Sequence, residues 1–61
     1  MTKAQYSALK WLREHNGDGM FDRYGVLVAA GERAPHMHQT WKALRDAGVI
    51  EYYDNKRVRL I

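Results

Sequence analysis

Apolar residues at the start of the chain recur at helical spacing. Ala4, Ala8, Trp11, Leu12 and His15 share one face, with Leu9 at its margin and Lys10, Arg13 and Glu14 mostly outside it. Thr2 suits an N-cap, and Gln5 three residues later can complete a capping box. Gly17 suits the left-handed residue that stops a helix. Beyond the Gly17-Asp18-Gly19 break, Met20-Phe21 suits a short extra strand. Val26-Leu27-Val28-Ala29-Ala30 is apolar on every side and reads as a short buried helix, opened by Asp22 as N-cap and ended by Gly31. Its β-branched valines leave a strand as the open alternative. A third helix begins near Pro35, which suits a first turn. Met37, Trp41 and Leu44 form its inward stripe, flanked by Thr40 and Ala47. His38, Gln39, Lys42, Ala43 and Asp46 face outward, and Gly48 marks the stop.

The last segment alternates. Val49-Ile50-Glu51-Tyr52-Tyr53 and Arg57-Val58-Arg59-Leu60-Ile61 flank Asp54-Asn55-Lys56 and read as a hairpin. A two-residue loop would set Ile50 against Arg59 on one face. A three-residue loop instead pairs Tyr52 with Val58 and Ile50 with Leu60 on one face, and Glu51 with Arg59 and Tyr53 with Arg57 on the other. Slippage by one residue would put the apolar set on the wrong side, so the three-residue loop is expected. It places Lys56 in a left-handed position where glycine or asparagine is usual. The expected fold is a single α+β domain over residues 1–61, with helices near 3–16, 23–30 and 36–47 and strands near 49–53 and 57–61.

The order helix, short strand, helix, helix, hairpin resembles a winged helix-turn-helix domain. The residues that carry the likeness are Thr40-Trp41-Lys42-Ala43-Leu44-Arg45-Asp46-Ala47-Gly48-Val49-Ile50-Glu51, with Gln5-Tyr6-Ser7-Ala8-Leu9 resembling the first helix of such domains. The chain is also similar to short uncharacterised proteins of bacteriophage and prophage genomes. The resemblance implies duplex DNA binding, with the third helix in the major groove and the hairpin wing on the backbone. His36 and His38 would then sit at a helix N-terminus suited to phosphate. Gln39, Lys42 and Arg45 would face the groove, and Lys56, Arg57 and Arg59 would form a basic wing. A lone winged helix makes few DNA contacts, so a homodimer or larger assembly is expected with it. Winged helices also serve as protein-interaction modules without DNA affinity, which is the alternative reading.

Composition narrows this picture without deciding it. Ten basic and seven acidic side chains give a formal charge of +3, which permits a polyanion partner without requiring one. The excess is spread out: residues 1–35 carry five basic and four acidic groups, and residues 36–61 five and three. There is no cysteine, so disulfides and thiolate metal sites are excluded. His36 and His38 lie two apart on a helix and cannot face one ligand, so no metal or other cofactor is expected. Ser7, the single serine, lies mid-helix without an adjacent base, and no glycine-rich phosphate loop is present. No enzyme activity and no small-molecule substrate are expected. No apolar run reaches membrane-span length and no signal pattern opens the chain, so a cytoplasmic protein is expected.

Overall fold

The computed structural model describes residues 1–61. It is an α+β fold with two helices and a five-stranded antiparallel sheet. The chain runs α1 (Lys3–Glu14), β1 (Asp18–Phe21), β2 (Leu27–Ala29), β3 (Glu32–Arg33), α2 (His38–Asp46), β4 (Ile50–Tyr53) and β5 (Arg57–Leu60). Strand order across the sheet is β3-β2-β1-β5-β4. The expected three-helix winged helix-turn-helix is therefore corrected, because the segment read as the second helix is a hairpin.

The reason lies in the residues around Val26-Ala30. Asp22 does not cap a helix. Its carboxylate accepts the N–H groups of both Tyr24 and Val26, which folds the chain into a tight turn, and Gly25 takes a left-handed φ of 78°. The valine-rich run then pairs with β1, Met20 opposite Val28 and Phe21 opposite Leu27. An all-apolar run carries no period. A strand that buries Leu27 and Ala29 and half-covers Val28 satisfies it as well as a helix does.

β2 and β3 are joined by Ala30-Gly31, with φ of 52° and 78°, between the paired Ala29 and Glu32. Two left-handed residues in a two-residue loop are the geometry that favours Asn-Gly. An alanine held there is strained by about 1–2 kcal/mol. Ala30→Asn should therefore raise stability by roughly 0.5–1 kcal/mol, because asparagine tolerates this conformation better. The expected sign is a higher urea midpoint at unchanged slope. An unmoved midpoint would mean that the turn relaxes around alanine.

The C-terminal hairpin has the expected register: Ile50 faces Leu60, Glu51 faces Arg59, Tyr52 faces Val58 and Tyr53 faces Arg57. The left-handed residues of its loop are Asp54 and Asn55, at φ of 47° and 69°, so the expectation for Lys56 is corrected. In α1 the capping box of Thr2 and Gln5 is formed. In α2, Pro35 stands before the helix and Met37 is the N-cap, exposed and outside the inward stripe, while Trp41 and Leu44 are fully buried.

Strand alternation sorts the sheet into two faces. Phe21, Leu27, Ala29, Ile50 and Val58 form one core with Ala8 and Leu12 of α1 and Trp41 and Leu44 of α2. Both helices thus cover that face. The opposite face carries Asp18, Met20, Val28, Arg33, Glu51, Tyr53, Arg57 and Arg59, and no helix covers it.

Candidate interaction surfaces

The residues expected to contact DNA fall into three separate places. Gln39 and Lys42 are exposed on α2, on the helical side of the sheet. Arg57 and Arg59 project from the opposite sheet face. Lys56 is exposed in the loop between β4 and β5. The sheet lies between the α2 residues and the two arginines, so one flat footprint does not join them.

Three of the expected arginines are also already engaged. Arg59 pairs with Glu51, Arg57 lies 3.5 Å from Asp18, and Arg45 pairs with Asp46 at 3.3 Å. The guanidinium of Arg45 also stands 4.6 Å over the Tyr52 ring. On the uncovered face, the Tyr53 hydroxyl donates to Asp18, and the Arg57 and Arg59 guanidinium groups stand 5.4 and 4.5 Å over the Tyr53 ring. Asp18, Glu51, Tyr53, Arg57 and Arg59 form one connected polar network, in which Asp18 Oδ1 has no hydrogen-bond partner. A phosphate approaching either arginine meets a carboxylate already beside it, although surface pairs of this kind are weak.

The two histidines do not share a role. His36 precedes α2 and is partly buried, edge-on to Trp41 at 5.7 Å and to Trp11 at 6.4 Å. His38 is exposed on the first turn of α2, its ring 4.8 Å from that of Phe21. No cluster of three His, Asp or Glu side chains is close enough to hold a metal ion. No helix is long and apolar enough to cross a membrane.

His15 and His36 flank Trp11 and titrate in opposite directions. His15 caps α1 and stacks on Trp11 at 3.9 Å. A hydrogen bond with the Trp11 carbonyl, and then one with the Glu32 carboxylate, raise its pKa. Burial lowers that of His36, whose Nδ1 has no hydrogen-bond partner. The ordinary value for both is 6.5. A raised pKa stabilises the fold below the ordinary value, and this is lost as pH rises through the folded value. A lowered pKa stabilises it above the ordinary value, and this is lost as pH falls through the folded value. Acidification from neutrality to about pH 5 should thus destabilise the domain through His36 and stabilise it through His15. The acid loss, measured as the drop in urea midpoint, should shrink in His36→Asn and grow in His15→Asn. Equal losses in both variants would show that neither ring couples to folding.

What the DNA reading missed is a pair of adjoining open grooves beside α1. Tyr6, Leu9, Lys10, Arg13 and Glu14 line the first, of about 470 Å³. Leu9, Arg13, Gly48, Val49, Leu60 and Ile61 line the second, of about 380 Å³. Leu9 and Arg13 line both, so the two grooves adjoin along α1. Tyr6 and Ile61 are 62% and 76% exposed, large enough values to leave real apolar surface in water. Lys10 and Arg13 make no ion pair. The hint in the sequence is Leu9 at the margin of the helix face; the first groove is lined by α1 alone, while Gly48, Val49, Leu60 and Ile61 of the second come from later in the chain.

Comparison with protein families, curated proteins and solved structures finds no match to the chain.

Proposed function

We propose that this domain is a protein-interaction module, acting by binding and not by catalysis. The observation that carries this reading is the pair of adjoining grooves along α1. Half-buried Leu9, Val49 and Leu60 and exposed Tyr6 and Ile61 supply their apolar lining, and Lys10, Arg13 and Glu14 a charged one. Apolar surface rimmed by charge is the usual makeup of a protein contact. The carboxylates beside Arg45, Arg57 and Arg59 support the same reading, since they lower the local positive potential a DNA surface would use.

A second reading is duplex DNA binding by α2, favoured by the exposure of Gln39 and Lys42 and the absence of an ion pair at Lys42. One experiment separates the two. A photoreactive phenylalanine analogue is placed at Tyr6 or at Lys42 and irradiated in the cells that encode the protein. The interaction reading expects a discrete protein adduct from position 6 that Leu9→Asp abolishes. A DNA adduct from position 42 with no protein adduct from position 6 would overturn it. Purified protein and random duplex DNA should show no salt-dependent binding of the kind counterion release produces.

A further inference from the structure

The two edges of the sheet are not alike. In an antiparallel ladder each residue directs its N–H and C=O to one side only, alternating along the strand. Leu60 N–H donates to Gly17 C=O and Phe21 N–H to Lys56 C=O, so even-numbered residues of β5 bond to β1. Ile61 N–H donates to Val49 C=O, so odd-numbered residues bond toward β4. With the observed register, Val49, Glu51 and Tyr53 are the β4 residues turned to β5. Ile50 and Tyr52 therefore aim both their N–H and C=O groups outward, at the open edge. The other edge, β3, is two residues long, ends close to Pro35 and has a charged side chain at each position. Those are the devices that block strand addition. β4 carries a single charge, Glu51, and no proline, lysine or bulge interrupts Ile50–Tyr53.

The side chains of the uncovered face select what fits there. Asp18 on β1 is opposite Arg59 on β5, and Arg59 is opposite Glu51 on β4. The row reads acidic, basic, acidic and stops at the open edge. The next position is completed by a cation. A second copy of this chain pairing antiparallel about Glu51 would use all four free backbone groups, but it sets Glu51 directly against its own counterpart. Directly opposed like charges are destabilising. On the covered face Ile50 and Tyr52 favour β-branched or aromatic neighbours.

We propose that β4 is an acceptor edge for an extended segment of a partner protein. The segment adds as a sixth strand with a basic residue opposite Glu51 and β-branched or aromatic residues on either side of it. The four backbone bonds from Ile50 and Tyr52 hold the strand, and the alternating charge row sets its register. This adds a second surface to the interaction reading and takes its biological meaning from it. The test is independent of the α1 groove.

A cyclised β-hairpin peptide serves as the probe, because preorganisation lowers the ordering cost of a short strand. One of its strands reads Thr-Val-Lys-Val-Thr, and a matched peptide carries Glu in place of Lys. Each is titrated to millimolar concentration into the isotope-labelled chain. The Lys peptide should shift the Ile50 and Tyr52 amides most and slow their hydrogen exchange, leaving those of Tyr6 and Lys10 unmoved. It should bind about threefold or more tightly than the Glu peptide. Glu51→Lys should reverse the preference, with its melting temperature read alongside to confirm folding. The wild-type comparison stands without that variant. No change at Ile50 and Tyr52, or equal affinity for both peptides, would overturn the proposal. So would concentration-dependent shifts at those amides without peptide, which would assign the edge to a second copy. Loss of the Tyr6 adduct would remove the groove reading and leave this result intact.

Discussion

Trp41→Ala should unfold most of the protein. The side chain is fully buried in α2, with its ring 6.3 Å from that of Trp11 on α1 and 5.7 Å from that of His36. It is the largest fully buried side chain and joins the two helices to the sheet core. Truncating a buried tryptophan costs about 3–5 kcal/mol, through lost transfer energy and an unfilled cavity. At roughly 0.05–0.15 kcal/mol per residue, a domain of this size has on the order of 3–9 kcal/mol in total. The loss thus takes up much or all of the stability. Trp41→Phe should cost less, since it keeps a ring in place and removes an indole N–H that has no hydrogen-bond partner. Thermal unfolding followed by circular dichroism decides the matter. An alanine variant melting within a few degrees of wild type would mean that Trp41 does not join α1 to α2.

The second large effect is expected at Gly19. A β-carbon there would lie 2.8 Å from the Val28 carbonyl oxygen, 3.1 Å from Leu27 Cδ1 and 3.2 Å from Ala29 Cβ. The closest atom is backbone, so no rotamer change can relieve the contact. β2 must move away from β1. Overpacking of this kind costs about 1–3 kcal/mol. Glycine's greater loss of freedom on folding, about 0.5–1 kcal/mol, offsets part of that for Gly19→Ala. Gly19→Val enlarges the clash and should be clearly worse. The check is a urea titration of both variants, with the amide shifts of Leu27, Val28 and Ala29 as the local readout. Unchanged stability in the valine variant would show that the two strands can separate at little cost.

Legibility in the sequence followed how local each signal is. The β4–β5 register was readable because apolar residues and opposite charges can be satisfied together in only one pairing, and both partners lie within one short segment. The capping box of α1 and the burial of Trp41 were readable for similar reasons. β2 was misread because Val26–Ala30 has no period, and its turn is Ala30-Gly31 instead of the more telling Asn-Gly. Helical spacing placed Trp41 and Leu44 of the inward stripe of α2, but not Met37, which precedes the helix and is exposed. The carboxylate partners of Arg57 and Arg59 came in part from β1, which the hairpin alone could not supply. The α1 groove joins Leu9 to Val49 and Leu60, and no short-range pattern connects them.

The sheet order has a consequence for how the chain reaches this state. β5 lies inside the sheet, between β1 and β4, yet it follows the other four strands in the chain. The β2–β3 hairpin can form as soon as it emerges from the ribosome. β1, however, keeps one open edge until Arg57–Leu60 arrives from the far side of the chain. Closing that long loop comes before the central pairing returns any energy, which makes it the slow event. Until that pairing forms, Phe21 and Leu27 lack Val58 to complete their core. Refolding from denaturant should thus wait on this closure, and dilution, which limits contact between half-built sheets, should raise the refolded yield.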